Sequence, residues 1–398
     1  MNLPTVEDAL ATMLDTVQPL PFEDVTVAQA DGRWLMGDVL AIRDQPPFDA
    51  SAMDGWAVQA ADVAPGAVLA IVGESAAGRG FSGLVGSGQT ARISTGAPLP
   101  AGADHVVIQE DAKRQGDTVI LQGPVTAGHI RRQGCDFRAA ERLLSAGTRL
   151  NPWQLALAAS AGTATLICGR RPVVAILATG DELVEPGQPI GADQIFNAGS
   201  PALAAFVVRH GGIATALTSA ADTDDAVIEA VIAATFDVLV TIGGASVGDH
   251  DRVKPALRSL GARIRVDGVA MRPGKPVWFA TLPDGRLVLG LPGNPASALV
   301  CAELFLAPLM AALQGATVES HFQTAILTVP LPANGPRDHY LRARSASEQD
   351  GRLHVTPFSD QDSSLVTVMA AANALIRRPP GAPPAAKGDA VSVLGPTF

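Results

Sequence analysis

Cysteine is scarce in this chain: Cys135, Cys168 and Cys301 are its three thiols, far apart and odd in number. No CxxC pair occurs, and none of the seven histidines joins a cysteine at zinc-ligand spacing, which argues against a disulfide framework and a zinc module. Buried, reduced thiols in a cytoplasmic protein are expected. Aromatic residues are also few, at 4%, so the core must be built mostly of Ala, Val, Leu and Ile. Charged residues reach only 17% and the net charge is −10. That balance lacks the basic excess by which nucleic-acid binders engage phosphates, so no nucleic-acid partner is expected. A small anionic ligand stays compatible with it, because local donors and metal ions override the global sign. The N-terminal MNLPTVEDALATMLDTV is acidic and amphipathic, without the basic and apolar regions of a signal peptide. The one long apolar stretch, PASALVCAELFLAPLMAAL from Pro295, is interrupted by Glu303 and Pro308. It reads as a core helix rather than a membrane span, so no membrane partner is expected.

Hydrophobic residues are plentiful, at 47%, and 398 residues exceed one ordinary core, so two to four domains are expected. The 40 glycines and 30 prolines are spread among apolar runs, which implies many turns rather than disorder. Residues 5–17 suggest a helix capped by Thr5, and the pattern from Val25 to Ile42 is extended. Short runs such as VLAIVG, TARIST, HVVIQE and TVIL fill 45–142 as an inserted β-rich domain. A second helix then starts at Asn151 as cap, with Pro152 at its first position, and is expected to pair with the N-terminal helix. The two flanks, 1–44 and 143–168, would form one elongated helical and β domain. From Arg171 strands alternate with helices: RPVVAILATG, a helix capped by Ser200, IATALTSA, DTDDAVIEAVIAAT, FDVLVTIGG, DHDRVKPALRSLG, ARIRVDGV, KPVWFATL, RLVLGLPG and a long helix from Asn294. This rhythm over 169–317 predicts a doubly wound, mostly parallel α/β sheet with ligands at the carboxyl ends of its strands. The runs AILTVPL, HYLRAR, LHVTPF, ALIRRP and AVSVL predict a β-barrel-like domain over 318–398.

Two familiar patterns carry little. GRGFSG at 78–83 matches a dinucleotide loop but sits in the β insert and opens no helix. GASVG at 244–248 makes Ser246 a candidate hydrolase nucleophile by position, yet the acids of DHD follow at once and oppose an anionic intermediate. The stronger reading takes TIGGASVGDHDRVKPAL whole. Gly243, Gly244 and Gly248 let amides approach an anion, Ser246 adds a hydroxyl, and Asp249 and Asp251 hold a bridging dication. Plain helix capping by the acids is the alternative. Three further segments predicted at strand ends carry similar equipment: ATGDELVEPG with Thr179, Gly180, Asp181 and Glu182; MRPGKP with Arg272 and Lys275; and LPGNPASA with Pro292, Gly293, Asn294 and Pro295. Each alone is explicable as turn chemistry. Together at one sheet edge they suit a phosphorylated ligand held with a metal ion. PPFDASAMDGWAV at 46–58 has neither strand nor helix period and spends two carboxylates in a loop.

PPFDASAMDGWAV, STGAPLPAGADHVVIQED, RRQGCDF, ATGDELVEPG, TIGGASVGDHDRVKPAL, MRPGKPVWFA and LPGNPASA occur in this order. The set resembles the MoeA/gephyrin family of molybdopterin molybdenumtransferases over essentially the whole chain. The resemblance implies insertion of molybdate into the dithiolene of adenylylated molybdopterin with release of AMP, and Mg²⁺ as cofactor. It implies an elongated four-domain homodimer whose active site is shared between subunits, with the 46–58 loop reaching the partner's site, and other molybdenum cofactor biosynthesis proteins as further partners. It places Asp54, Thr95, Asp136, Glu182 and Asp251 in catalytic positions and Glu182, Asp249 and Asp251 around the metal. Arg272, Lys275, Pro292, Pro295, Arg342 and Ser363 fall on binding positions, with Ser297 as a further donor to molybdate. Three departures stand out. Cys135 replaces an acid beside Asp136, Gly199 replaces an Asn, and Trp56 replaces a Tyr. The rival readings are a non-catalytic pterin-binding scaffold of the same fold and the Ser246 hydrolase.

Overall fold

The computed structural model describes residues 3–122, 128–217, 223–243, 252–316 and 322–395. The chain divides into two compact units, one of Met1–Glu23, Gly32–Met36 and Ile167–Phe398, the other of Asp24–Asp31 and Gly37–Leu166.

The first unit is organised around a six-stranded sheet in the order Ile213–Ala216, Val173–Ala178, Val238–Ile242, Leu287–Leu291, Trp278–Thr281, Arg263–Asp267. The first four are parallel; Trp278–Thr281 runs against both its neighbours. Runs such as VLVTI and LVLGL are apolar but for Thr241 because these strands are buried on both faces. Alternate residues serve opposite layers. Val174 and Ile176 pack with Leu203, Phe206 and Phe305 of one layer, while Ala175 and Leu177 pack with Val227, Val231 and Leu257 of the other.

The helices differ from expectation in instructive ways. Gly199–Arg209 is not capped by Ser200; Asn197 Oδ1 accepts from the Ser200 amide at 3.1 Å and its Nδ2 donates to Ser200 Oγ at 2.9 Å. A Cβ at Gly199 would lie 3.0 Å from Ile242 Cδ1, so the close approach of helix to strand favours glycine there. The long helix spans Pro295–Leu313, 72% buried over its most apolar window, as a core helix should be. It widens to a π turn over Ala302–Leu306 just before Pro308, whose missing N–H would break a regular ladder. Val6–Leu14 has the predicted Thr5 cap, but Val6, Ala9 and Met13 pack into the core of the sheet unit. Pro152–Ser160, closed by a capping box of Asn151 and Gln154, packs within the other unit on Arg142–Leu144 and Val27–Gln29. Each of these two helices packs on elements of its own unit.

Five C-terminal strands, Phe322–Leu327, Asp338–Ser347, Leu353–Pro357, Ala374–Arg378 and Ala390–Leu394, each pair with two others and close a barrel. Met271–Arg272 joins it in parallel beside Asp338–His339. A short helix at Val366–Ala371, rich in β-branched residues, has no signal in the sequence pattern.

The second unit holds a six-stranded mixed sheet in the order His105–Ile108, Gly55–Val58, Gln89–Ile93, Val68–Ser75, Thr118–Leu121, Ala112–Gln115. The extended pattern of 25–42 yields only Phe22–Thr26 and Val39–Leu40, with a 3-10 turn at Val27–Gln29 between them. Cys168 and Cys301 are buried as expected, whereas Cys135 is exposed on a loop.

Candidate active site

In the sheet unit, the chain turns after each central strand at the same edge. The ladder continues past the strands: the Thr179 amide donates to Ile242 O at 3.1 Å, and the Gly243 amide to Leu291 O at 3.3 Å. Gly243 has φ +88°, and a Cβ there would lie 2.8 Å from Thr179 O. Gly180 has φ +146°, and any side chain on it would collide with the Glu182 carboxylate, which folds back over it. Glu182 is held in turn by its carbonyl, which accepts from the Ile195 amide at 2.8 Å. These are constraints only glycine satisfies, and they draw the strand ends together.

The result is a cavity of 970 Å³. Thr179, Glu182, Gly243, Lys275, Asn294 and Pro295 contribute to its wall, together with Pro292 and Gly293. It lies where the strand order reverses, outside the carboxyl ends of Val173–Ala178 and Val238–Ile242. Thr179 is 5% exposed and its hydroxyl has no partner among the described residues. Asn294, the cap residue of the long helix, spends its side chain elsewhere: Nδ2 donates to Ser363 Oγ at 3.0 Å. The first amides of that helix thus face the mouth without a side-chain cap.

The remaining predicted residues of this unit lie behind or beside the wall. Ser297 is buried one turn into the helix. Arg342 is 1% exposed and serves as a clamp, donating from Nε to Gln361 Oε1 at 3.2 Å and from Nη1 to Asp362 O at 2.9 Å. That clamp holds the loop bearing Ser363. Arg272 pairs across from His339, whose imidazole is pushed down to about 4 by burial and then by Arg272, Arg342 and Arg337. Gly244, Ser246, Gly248, Asp249 and Asp251 lie outside the described residues.

Sequence reasoning missed Lys254, Asp267, Asn197 and Phe196, all on the cavity wall. Lys254 Nζ lies 2.6 Å from Asp267 Oδ1. The signal was present for Asp267, an acid ending a strand before a glycine, and for Lys254 just beyond the Asp249–Asp251 pair.

The second unit carries the other predicted set. Asp54 Oδ1 accepts from both the Thr95 amide, at 2.7 Å, and Thr95 Oγ1, at 3.2 Å. These bonds, with Arg92 nearby, hold the Asp54 carboxyl below the usual range. Arg92 ties the neighbourhood together, donating to Gly55 O at 3.1 Å and Gln109 Oε1 at 2.8 Å. The first carboxylate of the 46–58 loop, Asp49, is structural: it accepts from the Gln133 amide at 2.8 Å and pairs with Arg132 at 2.6 Å. Asp136 is exposed on that same partner loop, fixed by its amide to Gln45 O at 3.0 Å. Among the described residues no group of three or more His, Cys, Asp or Glu forms a metal cluster.

Three family models match in succession: "MoeA N-terminal region (domain I and II)" over 4–162, "Probable molybdopterin binding domain" over 175–312, and "MoeA C-terminal region (domain IV)" over 324–395. A protein of Nostoc sp. named molybdopterin molybdenumtransferase is 35% identical over 98% of this chain and 94% of its own length. One of the same name from Haemophilus influenzae is 33% identical over 94% and 93%. The crystal structure of a molybdopterin biosynthesis MoeA protein from Pyrococcus horikosii superposes with a TM-score of 0.80 at 28% identity, covering 100% of both chains. With its glycine-cornered mouth, closed C-terminal barrel and kinship along the entire length, this chain belongs to the MoeA family.

Proposed function

We propose that the protein inserts molybdate into the dithiolene of adenylylated molybdopterin and releases AMP. The observation that carries this is the wide cavity at the carboxyl edge of the sheet, with Glu182, Lys275 and the open start of the Pro295 helix on its wall. The relatives' names favour this over the scaffold and the Ser246 hydrolase readings.

Phosphate oxygens fit the free amides at the head of the long helix, where the helix dipole is favourable. Lys275 adds a cation on the same wall, and Arg272 and Ser297 would join it in holding molybdate. The oxygen donors available, the Glu182 carboxylate and the Thr179 hydroxyl, which has no partner among the described residues, are those a hard dication takes, so the residues fit Mg²⁺. Glu182, Asp249 and Asp251 would hold it, and when bound it neutralises pyrophosphate charge and polarises phosphorus. Asp54, kept ionised by Thr95, accepts hydrogen bonds only, so it orients a water or a protonated oxo group. Asp136 would stand beside it. These two come from the 46–58 side of a partner subunit in a homodimer with shared sites. The setting is the cytoplasm, with the adenylylated pterin supplied by another molybdenum cofactor biosynthesis protein.

Purified protein given adenylylated molybdopterin, Mg²⁺ and molybdate is expected to release AMP, and a silent assay overturns the reading. Asp54→Asn should lower the rate by at least about 100-fold while pterin affinity stays within about twofold. A variant as fast as the parent removes Asp54 from the chemistry.

A further inference from the structure

The ion pair of Lys254 and Asp267 on the cavity wall has no part in the chemistry above. We propose that it reads the 2-amino-4-oxo edge of the pterin, so that the pterin lies at the Arg263–Asp267 end of the mouth and the adenylyl group at the Glu182–Asn197 end. The inference rests on the molybdenumtransferase reading and adds an orientation and a specificity residue to it.

The sheet order sets the geometry. Arg263–Asp267 runs parallel to the central strands, so its carboxyl end opens on the same mouth. It stands four places from Val173–Ala178, a span of about 19 Å at the usual strand spacing. The cavity reaches both ends, since Glu182, Phe196 and Asn197 line it as well as Lys254 and Asp267. A ligand with a ring system at each end and phosphates between matches that length, with the helix amides near Asn294 between the two.

The two ends differ in chemistry. Lys254 holds its ammonium 2.6 Å from Asp267 Oδ1 and 5.6 Å over the buried Trp278 ring, with its side chain 12% exposed. Asp267 is 57% exposed, and its Oδ2 has no partner among the described residues. A cation donor beside a carboxylate offers one donor and two acceptors in a row. The pterin edge is its complement: O4 accepts, while N3–H and the 2-amino group donate. Adenine presents one donor and one acceptor and leaves one oxygen of the half-exposed carboxylate to water, a poorer match than the pterin edge. Next to Asp267 the wall is bare backbone at Gly268, φ +95°, where a Cβ would lie 3.0 Å from Leu3 Cδ2 and 3.3 Å from Lys275 O. At the opposite end Phe196 is 47% exposed beside Ile195 and Leu183, an apolar platform on which a ring can stack.

The test uses the full chain and fluorescence titration with 6-hydroxymethylpterin and its lumazine counterpart, in which a 2-carbonyl replaces the 2-amino group and N1 gains a proton while N3–H and O4 are kept. AMP is titrated separately. The parent is expected to prefer the pterin by about tenfold, and Asp267→Asn, whose amide can face a carbonyl, to narrow that preference to about twofold with AMP affinity unchanged. Lys254→Met keeps the stem over Trp278 and should weaken pterin and lumazine alike, since both carry O4. Discrimination that survives Asp267→Asn, or a variant that loses AMP instead of pterin, overturns the orientation while leaving the molybdenumtransferase reading intact. A parent chain that binds neither pterin nor AMP sinks both.

Discussion

At the scale of single residues, the same side-chain type does different work according to its partners. Asp49 and Asp54 lie five apart in one loop, yet Asp49 is consumed by Gln133 and Arg132 whereas Asp54 faces out, braced by Thr95. The loop's own pattern held both acids alike and the family resemblance alone singled out Asp54, because the difference lies in partners 84 and 41 positions away. His339 shows how charge crowding fixes a protonation state. Its cross-strand neighbours are Arg272 and Arg378, and Arg337 and Arg342 also press on it. Its folded value of about 4 lies below the ordinary 6.5, so the unfolded chain binds the proton more readily in between. The stability that the neutral ring contributes is full above about 6.5 and is lost as pH falls toward about 4. Urea denaturation at pH 7 and pH 5 should therefore show a smaller loss of stability for His339→Gln than for the parent. Equal losses would mean the imidazole is already exchanging its proton freely in the fold.

At the scale of elements, the strand ends carry the argument. Gly243→Ala places a Cβ 2.8 Å from Thr179 O at φ +88°, which should cost about 1–3 kcal/mol in urea denaturation and distort the mouth. Gly293→Ala is the control, because its nearest neighbour would be Gly243 Cα at 3.7 Å, an ordinary contact. Equal stability for the two variants would refute the steric account. The strands and helices of this unit were legible because parallel strands buried on both faces read as unbroken apolar runs, and their ends are marked by Gly, Pro and acids. The turn residues of the site were legible for the same reason. Lys254 and Asp267 were not, since a pair 13 residues apart meets only when the helix after one strand folds back beside the next. Ser200 does not cap Gly199–Arg209 because it already lies in the first turn, where its amide is satisfied by Asn197 Oδ1. The π turn at Ala302–Leu306 has a cause in Pro308, but no spacing rule announces it.

At the scale of the whole molecule, Asp54 and Glu182 belong to different units of the chain. If a homodimer shares its sites, Asp54→Asn and Glu182→Gln chains co-expressed with separate tags should regain activity. Random pairing leaves one intact site in each mixed dimer, about a quarter of parental turnover. A site contained in one chain predicts none, and sedimentation should show twice the 40.8 kDa chain mass in the active species. The barrel bears on how the mouth is kept in shape. Its five strands form a ring with no free edge, from which Arg342 grips Gln361 and Asp362 and thereby sets Ser363 against Asn294. A ring of this kind resists splaying, so the residue that opens the long helix is moored to a stiff body rather than to a swinging loop. Where the helix head stands is consequently decided during folding, and an arriving anion meets amides already aimed instead of having to gather them.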